Sequence, residues 1–274
     1  MKYKSIPALT LFAALPALAL SDVTWVASTG TNNVNCFRTT PCATFAQALL
    51  ATNANGVIKT ADAAEFGIVT ITQNVTIDGN GSGATIDAGS GTGITINNNP
   101  GGQVTIRNLT IHVAAGGHGI DITGGGAHLE NVLIMGAPFY GVNASSSSPN
   151  PVNVTIKNVT ITNASQVGIL IQGASGSLRD SVIRGASYGI LVQSLTGLAA
   201  VALVERCELS YNSTGLFANN ISGPGVTVRV SDTVITGNFN GILTANGGQI
   251  ISFRTNMLAG NTTDGTTPFS ISLK

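Results

Sequence analysis

The chain has 274 residues, 43% of them hydrophobic and only 9% charged, with 34 glycines and a formal net charge of zero. That hydrophobic content excludes a disordered chain, and the lack of any Lys/Arg cluster argues against nucleic acid as a partner. The length suits one large domain or two small ones.

Met1, Lys2, Tyr3 and Lys4 give a positive start, followed by an apolar run over residues 6–19. Ala17, Leu18 and Ala19 fit a small-x-small cleavage site, so residues 1–19 read as a secretory signal peptide. The run is shorter than the roughly 20 residues needed to cross a bilayer, and no later segment is apolar enough, so no membrane span is expected. The expected destination is the periplasm or the cell exterior. Removing Lys2 and Lys4 from 12 basic residues leaves 10 against 12 acidic ones, a slightly acidic chain. Cys36 and Cys42 lie close together, and in an oxidising compartment a local disulfide is expected. Cys207 stands where other repeat copies carry Leu109, Val132 and Val159, which suits a small packed residue rather than a nucleophile.

Residues 22–26 read as a first strand. Residues 41–52 read as a short helix, with Thr40 as N-cap and Pro41 at the first helical position. Phe45 and Leu49, extended by Ala46 and Leu50, form its apolar face. A helix this short is marginal alone, so it is expected to cap the open end of something larger.

From Val57 onward the pattern turns to strands. Short runs such as Val69, Thr70, Ile71 and Val75, Thr76, Ile77 alternate apolar residues with threonine between Gly/Asn turns. Two markers then recur. A polar residue at a strand junction falls at Asn108, Asn131, Asn158, Asp180, Arg206, Asp232 and Thr255. A glycine opening the next strand falls at Gly93, Gly119, Gly141, Gly168, Gly189, Gly215 and Gly241. Both keep the same irregular period of 21–27 residues. The LxxLxL consensus of leucine-rich repeats is missing. Three short strands per repeat predict an all-β right-handed parallel β-helix with a short N-terminal capping helix. It forms a single domain over residues 20–274, with coils over 57–260 and a tail over 261–274 that closes the far end. The coils should stack at about 4.8 Å.

Three internal rows are expected. Ile106, Leu129, Ile156, Leu178, Val204, Val230 and Phe253 form the first. Ile111, Ile134, Ile161, Ile183, Leu209, Ile235 and Leu258 form the second. Ile94, Ile120, Val142, Ile169, Ile190, Leu216 and Ile242 form the third. One coil cannot bury its apolar face, whereas stacked coils share a core. The junction Asn and Asp residues tolerate left-handed geometry, so their role is read as structural.

The signal peptide, the Cys36–Cys42 loop with its following helix, and the Asn-marked coils resemble the secreted bacterial right-handed parallel β-helix proteins of the pectin-lyase-like superfamily. The resemblance spans residues 25–274. It implies the fold; the activity is open, since members include enzymes acting on acidic polysaccharides and non-catalytic surface proteins.

Hydrolases of this fold use clustered aspartates, but here no two acidic residues are adjacent, and only Gly117, His118, Gly119 and Ile120 match a piece of the hydrolase pattern. All three histidines, His112, His118 and His128, fall within 17 residues. Coil stacking puts Tyr140 beside His118 and Asn143 beside Asp121, a polar and aromatic lip suited to a sugar ring. His112 and His128 are expected on other faces, so no metal site is assigned. The residue x of each Gly-Ile-x-Ile strand should point outward. Four of these, Leu170, Leu191, Phe217 and Leu243, are apolar and mark either a subunit interface or a surface covered by the insert at 193–202. A charged column of Arg107, Glu130, Lys157, Arg179, Glu205, Ser231 and Arg254 suggests ion pairs between coils, worth about 0–1 kcal/mol each when exposed.

The leading functional expectation is a secreted, non-catalytic β-helix that binds polysaccharide or a cell-surface glycan, or packs with copies of itself. The alternative is a lyase or epimerase on an acidic polysaccharide, with His118, Asp121, Tyr140 and Arg184 as participants. A cofactor, Ca²⁺, is expected only under that alternative. Outward threonines such as Thr70, Thr76, Thr105 and Thr155 leave ice binding as a remote third reading.

Overall fold

The computed structural model describes residues 20–146 and 151–265, together with the backbone of residues 269–270. The expected signal peptide falls in residues 1–19, outside the described part, as do residues 271–274 of the expected C-terminal closure. Among the described residues, no helix is long and apolar enough to cross a membrane.

The chain winds into a parallel β-helix. The third strand of each coil joins an 8-stranded sheet, and the first and second strands join a 17-stranded sheet. Within Gln103–His112 and Gly126–Met135 the first two strands run on as one; elsewhere they separate, as in Asn153–Lys157 and Thr160–Thr162. The solenoid starts earlier than Val57. Ser21–Val26 is already its first rung, pairing in parallel with Thr52–Thr60. At the other end Phe269–Ser270 adds a last strand beside Ile251 and Ser252.

The second and third predicted rows are observed, with Ile111 facing Ile134, Ile134 facing Ile161, and Ile120 facing Val142 across successive coils. Nearly every member of these rows is buried. The first row holds from Ile106 to Val230 but ends on Ser252, not Phe253. The same slip moves the final left-handed junction residue from Thr255 to Arg254, at φ 66°. One extra residue between that junction and Leu258 is the cause, since Leu258 still faces Ile235. The other junction residues, Asn108, Asn131, Asn158, Asp180, Arg206 and Asp232, all have φ between 50° and 59°.

The glycine that opens each third strand has a packing reason. A Cβ on Gly141 would come within 2.6 Å of the Gly168 carbonyl oxygen and of an Ile161 methyl. Gly119 meets the same arrangement, at 2.5 Å from the Gly141 oxygen. Adjacent coils therefore touch backbone to backbone at this corner, and only hydrogen fits.

The helix is shorter than expected. It covers Phe45–Ala51, and its N-cap is Thr44, whose hydroxyl accepts the Gln47 N–H. Thr40 and Pro41 lie outside it, because Cys42 is held extended against Val26 by a bridge and by its N–H to the Trp25 carbonyl at 2.9 Å. Cys42 is also bonded to Cys36 in the expected disulfide. The buried face is Phe45, Ala48 and Ala51, with Phe45 packed on Phe66 at 5.3 Å between centroids. Ala46 and Leu50 are exposed.

Two polar ladders link the coils. The exposed one runs along the junctions, where Asn108 donates to Asp78, Asn131 to Asn108, and Asn158 to Asn131, at 2.7–3.2 Å. It continues as an ion pair between Arg206 and Asp180. The second ladder is buried, and the junction pattern in the sequence does not reveal it. Asn238 Oδ1 accepts both the backbone and side-chain N–H of Asn212, at 2.9 and 3.1 Å, and its own amide donates to the Leu209 carbonyl and to Asn261. Its signal is an asparagine three residues before the strand-opening glycine, as in Asn212 with Gly215 and Asn238 with Gly241.

Removing an acceptor from a buried ladder leaves donors unsatisfied, at about 1–3 kcal/mol each. Asn238→Ala is therefore expected to lower unfolding stability by about 2–4 kcal/mol in urea titration. Asn158→Gly, which keeps the left-handed backbone of an exposed rung, should change it by less than about 1 kcal/mol. Equal effects would contradict the distinction between the two ladders.

Candidate functional site

The corner at His118 is built by its glycines. A Cβ on Gly117 would strike the Gly91 carbonyl at 1.9 Å, and Gly119 is closed on the other side by Gly141. His118 thus sits between two points of close backbone approach. Its N–H donates to Thr92 Oγ1 at 3.3 Å, and its carbonyl accepts from Gly93 at 3.0 Å. The next coil brings Tyr140 alongside, with the Gly119 N–H donating to the Tyr140 carbonyl. The two rings stack, 4.9 Å between centroids and 15° between planes. Phe139, which the sequence reading did not single out, joins them at 5.8 Å and is 40% exposed.

Beside the rings, Asp121 and Asn143 are register partners on the small sheet. The Asn143 amide donates to Asp121 Oδ1 at 2.8 Å. Asn143 Oδ1 and His118 Nδ1 are buried with no hydrogen-bond partner. Burial pushes the His118 imidazole below its ordinary value of 6.5 and outweighs the opposing pull of Asp121. At neutral pH the ring is uncharged. The arrangement offers aromatic surface and a carboxylate within one corner, groups able to stack on a sugar ring and bond its hydroxyls.

Arg184 does not belong to it. Its column runs from His112 through Met135 and Thr162, so Arg184 lies on the large sheet three rungs beyond His112. Arg184 follows Ile183 of the second row, whereas His118 stands on the turn that leads into the small sheet, so the two lie on different faces as well as different coils. His128 pairs with Thr105 and Thr155 on the large sheet, and its Nε2 lies 3.8 Å from Glu130. Among the described residues, no three His, Cys, Asp or Glu side chains gather as a metal site would need.

The outward apolar column is in register from Leu170 through Leu191 and Phe217 to Leu243. It is less exposed than expected. Leu170 and Leu191 are buried, packed with Val167 and beneath Tyr140, Tyr188 and Phe217. Tyr188 stacks on Phe217 at 5.5 Å. Only Leu243 is markedly exposed, at 39%. The neighbouring aromatic column supplies the cover. The insert at 193–202 turns elsewhere, its Ser194 hydroxyl accepting the Gly223 N–H and its Leu195 and Leu198 standing next to Gly173.

The charged column forms ion pairs between coils, with Arg107 to Asp78 at 2.8 Å, Lys157 to Glu130 at 3.0 Å and Arg179 to Glu205 at 3.1 Å. Lys157 holds Glu130 below the usual carboxylate range, and Asp78 is lowered against the opposing effect of its burial by hydrogen bonds from the Asn108 amide and the Asn80 N–H, with Arg107 adding to them. Arg254 is not in this column, for the register reason given above. Cys207 is buried and unpaired, and desolvation pushes its thiol up to about 11, so it is inert as a nucleophile.

A family model described as "Right handed beta helix region" matches residues 92–262. The crystal structure of pectate lyase Pel9A superposes with a TM-score of 0.70 at 13% identity, covering 93% of this chain and 80% of that chain. That identity supports likeness of fold alone. No curated protein matches the chain by sequence.

The depressed His118 value makes a stability prediction. Between the folded value and the unfolded value of about 6.5, the unfolded state binds more protons. The contribution is therefore complete above about pH 6.5 and is lost as pH falls through the folded value. Urea titrations at pH 7.5 and pH 5 should show wild type losing more stability on acidification than His118→Gln. An identical loss in both proteins would rule out a desolvated His118.

Proposed function

The chain belongs to the right-handed β-helix family, and from that premise we propose that it is a secreted protein that binds polysaccharide or a glycan-bearing surface without transforming it. The observation that carries this reading is the His118–Tyr140 ring stack, flanked by Phe139 and by the Asp121–Asn143 pair. Flat aromatic faces match the apolar face of a sugar, and a carboxylate and amide beside them match its hydroxyls. The apolar run at residues 6–19 and the Cys36–Cys42 disulfide support secretion. The fold likeness to pectate lyase supports a polysaccharide as the ligand.

The alternative, a lyase or epimerase, is disfavoured by the donor set. Ca²⁺ takes 6–8 oxygen ligands, whereas Asp121 is the lip's sole carboxylate and one of its oxygens already accepts from Asn143. The residues of the lip do not fit that ion. Arg184, three rungs from the His112 coil, is too remote to steady a substrate at His118. A role as a self-packing protein rests on Phe217 and Leu243 at the open end of the apolar column.

Purified protein is expected to be retarded in gels containing pectate, alginate or a glycosaminoglycan, with at least tenfold weaker retardation for Tyr140→Ala or Asp121→Ala. Ultraviolet-absorbing unsaturated products, with or without Ca²⁺, would establish the lyase reading instead. Retardation unchanged by both substitutions would dismiss the lip. In sedimentation, a mass above that of the monomer that drops in Leu243→Asp is the result expected of self-packing; a monomer in both proteins would dispose of it.

A further inference from the structure

A second aromatic feature stands on the same turn, three coils beyond Tyr140. The residue after each second strand is left-handed in successive coils: Gly136 at φ 74°, Asn163 at 59°, Gly185 at 75°, Tyr211 at 56° and Gly237 at 68°. Their equivalence follows from the register of the preceding residues, Met135, Thr162, Arg184, Ser210 and Thr236. Glycine and asparagine suit this backbone, whereas a bulky side chain there is an outlier that needs a reason. Tyr211 is that outlier. Folding does not call for it, because the coils on either side manage with glycine.

Nor does Tyr211 serve the core. It is 72% exposed, and Phe239 on the next coil is 62% exposed. Gly237 leaves space for the tyrosine, since a Cβ there would come within 3.2 Å of its ring. The two aromatics line a groove of about 510 Å³ whose remaining wall is Ser165, Ser187, Ser213, Asn212 and the small residues between them. It is shallow and open to solvent along its length. None of the lining residues is charged. Ser187 Oγ donates to the Ser165 carbonyl at 2.8 Å, which holds the polar floor in place.

We infer that the Tyr211–Phe239 groove is a binding site for an uncharged saccharide, separate from the His118 lip. Two exposed rings supply surfaces for the C–H face of a sugar, serine hydroxyls and turn peptides supply hydrogen bonds, and the uncharged lining selects against a uronate polymer. The lip, with its carboxylate and histidine, differs in kind. The groove stands whether or not the lip binds glycan.

The test is affinity electrophoresis in a soluble β-glucan, a galactomannan and an arabinoxylan, with polygalacturonate as the acidic comparison. Wild type, Tyr211→Gly, Phe239→Ala and His118→Ala are run together. Tyr211→Gly installs the residue that Gly185 and Gly237 already carry, so a melting temperature at or above that of wild type is expected. Retardation by at least one neutral polymer is expected, at least tenfold weaker in both groove variants than in wild type; a loss confined to His118→Ala would overturn the inference by placing the neutral polymer on the lip. Absence of retardation by every neutral polymer would overturn the inference, as would retardation kept in both groove variants. A sedimenting mass above the monomer that falls in Tyr211→Gly would also overturn it, by making the groove a contact with a second copy.

Discussion

Backbone contact between coils at the strand-opening glycines is the constraint on which the molecule depends. At Gly119, Gly141, Gly168, Gly189, Gly215 and Gly241, a Cβ would lie 2.5–2.8 Å from the next coil's carbonyl oxygen. Such distances leave no freedom in how one coil seats on another. Once the corner is set, the inner rows must meet like on like, Ile190 against Leu216 and Ile161 against Ile183. Shortening one of these buried residues to alanine typically costs about 2–5 kcal/mol, because the neighbouring coils cannot close in. The outer columns inherit the same register. His118 and Tyr140 stack because each precedes a glycine of this kind, not because the rings drive the contact.

Polar groups reinforce the stack in two ways that differ in weight. The junction ladder starts on the buried Asp78 but is exposed at Asn131 and Asn158, where, with the Arg206–Asp180 pair, it competes with water and contributes modestly. The ladder of Asn212 and Asn238, both buried and continued by the half-buried Asn261, meets far less of that competition. Its amides donate to the carbonyls of Ile183, Leu209 and Ile235 in the second strands. Tyr211 lies one residue from that ladder.

The repeat was legible because its markers are chemical necessities. Only glycine fits the corner, and asparagine and aspartate dominate the left-handed junction, so both recur in the chain where the geometry recurs. The pair contacts in the lip, His118 with Tyr140 and Asp121 with Asn143, followed from counting back from those glycines. Reading was less successful where local pattern and tertiary demand part. Phe253 looks like a core residue, but one inserted residue passes the row to Ser252. Thr40 and Pro41 look like a helix start, but the bridge from Cys42 to Val26 claims that stretch for the sheet. Leu170 and Leu191 point outward as expected yet are buried, because Tyr140, Tyr188 and Phe217 on neighbouring positions of the sheet cover them. Tyr211 was invisible as an anomaly until its φ was known.

The amino-acid sequence by itself determined the parallel β-helix, the inner rows, the disulfide and the identity of residues at each corner. It did so because period, turn chemistry and the steric demand for glycine are written locally and repeated. The tertiary structure alone decided which aromatic side chains are covered and which stand in water, and that His118 is desolvated while Arg184 is remote from it. Those properties depend on the register of coils 21–27 residues apart in the chain. No local pattern encodes the exposure that results when two such coils meet.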